Sequence, residues 1–465
     1  MKKKKIQEIE LEISDMAFGG KGIAKVDGFT IFVDQTVPLD RVLARIVRKK
    51  KNYAEARVAE FFSLSPHRIT APCPYSGCCG GCKWQFLKYE QQLAYKRQHV
   101  SDALAHIGLM PDIPVHPVIA SEKIFGYRNK MEFSCSDRRW LLPDELGRED
   151  TGFSFALGLH VPGTFHKVLD ISACLLQAET GNAILEDVRQ YMKNSGIPVY
   201  GLRTHEGFWR FLMLRHSVAF DQWMVNIITA SEDRKTVGPL ADFLMGKYPN
   251  IVSVVNNITA RKAGVAVGEY EILLAGSPVI KDQIAGYTFD ISANSFFQTN
   301  TRGAEKLYET VKSYAQLSGR ESVWDLYCGT GAIAICLSDK AAEVTGIEIV
   351  ESAVADARAN CQSNGISNCR FMAGDIKECM AAIGTKPDVL IIDPPRSGIH
   401  KDAVRQIRDA APLRIVYVSC NPATQARDLL MLKEDYHVIE VQPVDMFPHT
   451  FHIECVAKLE RKRGI

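Results

Sequence analysis

The chain has 465 residues, 46% of them hydrophobic and 24% charged, with a net charge of +2, which is the composition of a globular protein long enough for two or three cored domains. No apolar run approaches the roughly 20 residues that span a bilayer. The lysine-rich start MKKKKIQEIELEI lacks the apolar centre of a signal peptide, so the composition argues against membrane and secreted classes and the expected location is the cytoplasm.

Charge is unevenly placed. Residues 1–70 carry 14 Lys+Arg against 9 Asp+Glu, hence +5, which leaves the remainder near −3. Arg48-Lys49-Lys50-Lys51 is the densest basic run beyond the N-terminal tip, and such a run is either a solvated face or a nucleic-acid contact. Over residues 1–65 short apolar–polar alternations lie between glycine signals, the pattern of a small all-β barrel. The turn FGGKGIAK, the strand GFTIFVDQTVPLD and the basic hairpin VRKKKNYAEARV resemble the TRAM domain, an OB-like RNA-binding module. An SH3-like barrel with no RNA role is the structural alternative.

The segment APCPYSGCCGGC follows, residues 71–82, with Cys73, Cys78, Cys79 and Cys82 among glycines and a proline. A disulfide knot, a zinc site, a redox pair and an iron–sulfur ligand set all have this texture. Thirteen cysteines, an odd number, in a reducing compartment argue for buried thiols and clustered metal ligands rather than disulfides. The spacing Cys-x5-Cys-x2-Cys of Cys73, Cys79 and Cys82 suits iron–sulfur ligation, which needs a fourth thiolate, and zinc on the same ligands stays open.

Residues 83–108 read as an amphipathic helix carrying Leu87, Leu93, Val100 and Leu104. A middle domain, 66–285, follows with antiparallel-looking runs KMEFSCS, FLMLRHSVAF, QWMVNIITA and IVSVVNN. From 286 to 465 buried-strand runs alternate with helical stretches, which predicts βαβ units and a largely parallel, doubly wound sheet. The fold class is therefore α/β: an OB-like all-β barrel, an α+β middle domain and a Rossmann-like C-terminal domain. Ligands of such sheets bind beyond the carboxyl ends of the strands.

The first C-terminal run ends in DLYCGTGAIAI, where Gly329 and Gly331 form a tight turn that opens a helix. The second ends in Glu348, placed to accept hydrogen bonds from ribose hydroxyls, and the third in Asp375, placed for an adenine amino group. Asp-x-x-x-Gly-x-Gly is shorter than the dinucleotide fingerprint, and with the two acidic strand ends it favours S-adenosylmethionine over NAD. Simple helix capping by Glu348 and Asp375 is the alternative. The fourth run ends in DPPRSG, whose Asp393 faces the same crevice, and the fifth in YVSCNPAT, where Cys420 sits at a polar strand break suited to an exposed nucleophile. FPHTFHIEC brings His449, His452 and Glu454 to the start of the last strand, where a partly buried carboxylate can serve as a general base.

SANSFFQTN, DLYCGTG, DPPRSG, VSCNPAT and FPHTFHIE, in this order, resemble the RNA uracil-5-methyltransferase family, and the N-terminal barrel and cysteine segment resemble its TRAM-bearing bacterial 23S rRNA branch. That resemblance implies Cys420 as nucleophile on uracil C6 and Glu454 as the base that removes the C5 proton. It places Gln298, Tyr327, Glu348, Asp375 and Asp393 around S-adenosylmethionine and uracil. It implies Cys174, in DISACLLQ, as fourth ligand of a [4Fe–4S] cluster with Cys73, Cys79 and Cys82, leaving Cys78 spare and giving the cluster a structural and RNA-facing role. The family often has Asn after the second glycine of the turn, where this chain has Ala332, which puts one cofactor hydrogen bond in question. The uridine must leave its stack to react, with Phe296 or Phe297 as a stacking surface. The expected protein is a monomer whose partner is RNA, 23S rRNA first and the tRNA T-loop second. Its rivals are a radical enzyme, an amino-directed methyltransferase, which Arg396 in DPPR does not suit, and a non-catalytic RNA-binding or redox-sensing protein.

Overall fold

A computed structural model describes residues 7–147, 155–262 and 264–462; the lysine-rich tip, 1–6, lies outside them. Among the described residues no helix is long and apolar enough to cross a membrane.

Glu8–Glu12, Asp15–Met16, Gly22–Val26, Phe29–Asp34, Arg41–Lys49 and Tyr53–Ser63 form one six-stranded sheet. Its inward residues alternate along each strand and bury Leu11, Ala24, Ile31, Val33, Val42, Ala44, Ala54 and Ala56 in a core of small and branched side chains. The basic run Arg48–Lys51 occupies the exposed end of the hairpin between the last two strands.

The middle sheet has seven strands, in the order Tyr270–Gly276, Ile251–Ile258, Trp223–Thr229, Trp209–His216, Lys130–Ser136, Ala156–His160 and Val168–Asp170. One pairing departs from the antiparallel expectation: Ile251–Ile258 runs parallel to Trp223–Thr229. The helix Arg234–Lys247 lies between them in the chain, and a crossover helix returns the chain in the same direction where a tight hairpin would reverse it.

In the C-terminal sheet the strands are β1 (Ser322–Leu326), β2 (Glu343–Glu348), β3 (Cys369–Ala373), β4 (Val389–Ile392), β5 (Arg414–Ser419), β6 (Tyr436–Val444) and β7 (Glu454–Arg461). Their order is β3-β2-β1-β4-β5-β7-β6, with β1 to β5 parallel and β7 antiparallel to both β5 and β6. The central strands β4 (VLII) and β5 (RIVYVS) are near-continuous apolar runs because helices cover both faces.

The helix expected over 83–108 is shorter, Tyr89–His106, and Trp84 and Leu87 sit buried ahead of it. Its buried face includes Gln92, Lys96 and His99 beside Val100, Ala103 and Leu104, a polar content that a simple amphipathic reading does not anticipate. Each of these three side chains has a partner, although His99 Nδ1 is left without one among the described residues. Gln92 Nε2 donates to the carbonyls of Trp84 and Leu87, His99 Nε2 lies 2.8 Å from Met16 O, and Lys96 Nζ donates to Asp445 Oδ1 at 2.6 Å and Phe447 O at 3.0 Å. The Lys96 and Asp445 side chains are both fully buried, and Tyr89 O–H donates to the second Asp445 oxygen at 2.9 Å. The apolar residues of the same helix join the core of the C-terminal sheet, and main-chain bridges from Val115 and Ile119 to β6 continue the attachment.

Removing one partner of a buried ion pair strands the other charge. Lys96→Met should therefore destabilise the chain by about 3–5 kcal/mol, and Lys96→Met combined with Asp445→Leu should recover most of that loss. Denaturant unfolding of the two variants beside the parent checks both outcomes.

Candidate active site

The turn after β1 carries three positive φ angles, at Tyr327 (64°), Gly329 (53°) and Gly331 (77°). A Cβ on Gly331 would stand 2.8 Å from the Phe371 ring, so only glycine fits there. Tyr327 holds the same left-handed conformation without being glycine, the kind of backbone strain that collects at ligand sites. Gly329 N–H donates to Glu348 Oε2 at 3.1 Å and Val350 N–H to Glu348 Oε1 at 2.9 Å, which fixes the carboxylate across the mouth of the turn. Asp375 accepts from Lys377 N at 2.8 Å and so caps the short helix that follows β3, the structural role the sequence left open for it. For Glu348 the acceptor role is turn closure rather than capping alone.

Gln298 reaches this rim on a loop tied at both sides. Its carbonyl accepts from Asn129 Nδ2 at 2.7 Å, and Thr330 Oγ1 bonds the carbonyl of Phe296. Phe296 is 66% exposed there, whereas Phe297 is buried 5.9 Å from Phe289 in the core, which removes Phe297 as a stacking surface. Beneath the turn lies Asp325, fully buried, with no side-chain partner among the described residues and only the Ala334 N–H bearing on its carboxylate. Burial raises its pKa well above the carboxylate range, and Asp393 adds to the effect. In sequence Asp325 is visible only as the first letter of the turn, and its signal is an acid inside an apolar strand run. Ala332 is buried as the first residue of the helix after the turn.

Topology makes the second half of the site. Because β7 is antiparallel to β5, its first residues return to the rim where β5 ends: Ser419 pairs with Cys455, and the next residue, Cys420, lies within electrostatic reach of Glu454. Burial and then Glu454 push the Cys420 thiol up to about 11, against the charge and hydrogen bond of Arg396. Glu454, 6% exposed, is raised well above the usual carboxylate range by burial and then Asp393, and Arg396 again opposes the shift. Asp393 itself is pushed up to about 6 by burial. Cys420 and Glu454 cannot readily ionise together, since the negative charge of either opposes ionisation of the other.

Arg396 was missed by sequence reasoning as a site residue. The Cys420 turn is stitched to its loop: Asn421 Nδ2 and Thr424 Oγ1 both donate to Arg396 O at 3.2 Å, while Asn421 Oδ1 caps the next helix through Ala423 N. A cation three residues beyond the β4 acid, at the same rim as the cysteine, was the signal. His452 is half-buried and held neutral, its pKa pushed down to about 4 by burial and by the charges of Arg396, Lys96 and Arg128. His449 lies elsewhere, buried and stacked on Phe125 at 4.3 Å, with Gln92 Nε2 3.2 Å from its Nδ1.

Cys73, Cys79, Cys82 and Cys174 line one cavity of about 300 Å³ with Arg128, and Cys78 instead lines the neighbouring cleft between the N-terminal sheet and the middle domain. Burial pushes the Cys79 and Cys82 thiols up to about 11 and 12. Among the described residues no group of three or more His, Cys, Asp or Glu side chains is drawn together as a site for a metal ion. The cysteine loop touches the segment before β7 directly, since Lys83 N and Trp84 N both donate to His449 O.

The model of the tRNA (uracil-5-)-methyltransferase family matches residues 277–462, and that of the TRAM domain matches residues 2–59. An uncharacterized RNA methyltransferase of Chlorobaculum tepidum is 42% identical over 464 residues, covering 97% of this chain and 96% of that one. One from Porphyromonas gingivalis is 41% identical over 464 residues, with 97% and 99% coverage. Among solved structures, the Pyrococcus abyssi tRNA (uracil-54, C5)-methyltransferase in complex with S-adenosyl-L-homocysteine superposes with a TM-score of 0.75 at 28% identity, over 97% of this chain and 100% of that one. The chain belongs to the TRAM-bearing RNA (uracil-5-)-methyltransferase family and is an S-adenosylmethionine-dependent RNA methyltransferase.

Proposed function

We propose that this enzyme methylates C5 of a uridine in RNA through a covalent adduct between Cys420 and uracil C6. The observation that carries the reading is that the β5–β7 pairing brings Cys420 within electrostatic reach of Glu454, beside the glycine turn. The Cys420 thiolate attacks C6, and the C5–C6 π electrons move into the C4 carbonyl as an enolate with carbanion character at C5. S-Adenosylmethionine, when bound, supplies the electrophilic methyl that C5 accepts. Glu454 then takes the C5 proton, the double bond reforms, and the C6–sulfur bond breaks to return the thiolate. A buried carboxylate of raised pKa is a stronger base than a solvated one, which suits this proton transfer. Arg396 holds the thiolate against the unfavourable burial. Glu348 suits ribose hydroxyls and Asp375 the adenine amino group, while Gln298, Tyr327, Gly329 and Gly331 shape the rim. The buried carboxylate of Asp325, with Asp393 near it, suits a cationic ligand.

The TRAM-bearing layout favoured 23S rRNA as target. The Pyrococcus abyssi tRNA enzyme shares the layout over 97% of this chain, so the layout does not discriminate, and the tRNA T-loop stands as the second reading. Mapping 5-methyluridine in rRNA and tRNA from a strain lacking this gene, against its parent, decides between them.

For the four cysteines we propose the [4Fe–4S] cluster. Their shared cavity supports it, and thiols that burial keeps protonated need a strongly cationic group to ionise. Anaerobically purified protein should be brown and contain iron and acid-labile sulfide, and Cys174→Ser should lose both while still binding S-adenosylhomocysteine. Colourless protein carrying zinc would replace the cluster with the zinc reading.

Cys420→Ala should lower methylation by more than about a thousand-fold with cofactor affinity unchanged, and Glu454→Gln should accumulate a protein–RNA adduct that survives denaturing electrophoresis. Alkylation of Cys420 by iodoacetamide in the free enzyme should rise with pH towards a midpoint near 11. The sulfonium charge of S-adenosylmethionine should lower that midpoint, and uncharged S-adenosylhomocysteine should not.

A further inference from the structure

The turn Ala17–Gly20 of the TRAM sheet is seated on the catalytic segment. Gly20, at φ 85°, is wedged so that a Cβ would stand 3.1 Å from Trp84 Nε1, 3.3 Å from Lys83 Cβ and 3.6 Å from Phe451 Cδ1. His99 secures the strand before it through Met16 O. This seating presents Phe18 at the junction, edge-on to Phe451 with ring centroids 5.3 Å apart and planes at 80°, and 5.7 Å from the His99 ring. Despite those contacts Phe18 remains 42% exposed. Phe451 in turn lies 4.2 Å from the His452 ring, and His452 lies 6.2 Å from Phe447. Two residues after His452 the chain enters β7 at Glu454. An aromatic track thus leads from the TRAM turn to the general base, with Lys83 beside its outer end and Arg396 and Arg128 within electrostatic reach of His452.

We propose that Phe18 and Phe451 form a stacking platform for an unpaired RNA base that neighbours the uridine entering the Cys420 crevice. Its place rests on the function proposed above. The chemistry is specific: every base has a π-face that an aromatic ring can take without reading its edge, and nearby cations suit the phosphates on either side. Extruding a uridine unstacks its neighbours, and a platform at the rim recovers that stacking on protein. An exposed phenylalanine contributed by the RNA-binding domain itself, continuous with the catalytic segment, has this use available where a packing residue would be covered.

The test compares Phe18→Ala, Phe18→Leu and Phe18→Trp with the parent. Binding of a fluorescein-labelled oligouridine of about ten nucleotides is measured by anisotropy across a salt series, and kcat and KM are measured on RNA from a strain lacking the gene. Ala and Leu should each weaken oligouridine binding about ten-fold and raise KM with kcat unchanged, while Trp should bind as the parent does. The salt dependence should keep its slope, since no phosphate contact is lost. Leu binding as tightly as Phe would overturn the proposal and make the ring an interdomain packing residue, a result that a lowered unfolding midpoint in Ala would accompany. A fall in kcat at unchanged KM would also overturn it, by placing the effect on the catalytic segment. Oligouridine binding needs no methyl donor, so failure of the platform leaves 5-methyluridine formation intact, and failure of the methylation reading leaves the binding series interpretable.

Discussion

The buried Lys96–Asp445 pair is the contact on which the arrangement of this protein turns. Two opposite charges taken out of water are costly unless their remaining hydrogen-bonding capacity is met. Here Asp445 also accepts from Tyr89 and Phe447 N, and Lys96 also donates to Phe447 O. The pair joins the helix Tyr89–His106 to the segment between β6 and β7. The same helix holds that segment at His449 through Gln92 and the TRAM sheet at Met16 through His99. One helix therefore positions the TRAM sheet and the segment that leads into Glu454 with respect to one another. That explains why its buried face is polar.

The second constraint is the reversal of β7. An all-parallel sheet would bring every strand's amino end to the far side of the domain. Antiparallel insertion of β7 between β5 and β6 brings an acidic strand start to the rim where Cys420 lies. Desolvation then raises both groups, and Arg396 is the charge set against it.

The cysteine cavity belongs to the same construction. Arg128 lines it and also acts on His452, while Lys83 and Trp84, immediately past Cys82, bond the His449 carbonyl. Whatever holds the cysteine loop in shape also holds the backbone that leads into Glu454.

By itself the sequence determined the domain types, because hydrophobic alternation in 8–63 and buried runs separated by helices in 322–461 depend on local periodicity. It also marked Gly331, whose positive φ and contact with Phe371 leave no alternative residue. Motif order alone named Cys420 and Glu454 together, 34 positions apart in the chain. What only the tertiary structure decided was relative placement. The parallel pairing of Ile251–Ile258, the core position of Phe297, the departure of His449 from the rim and the approach of Arg396 to Cys420 all follow from contacts between distant segments. Such contacts leave no period to read, and a buried lysine looks in sequence like any solvated one until its aspartate, 349 residues away, folds against it.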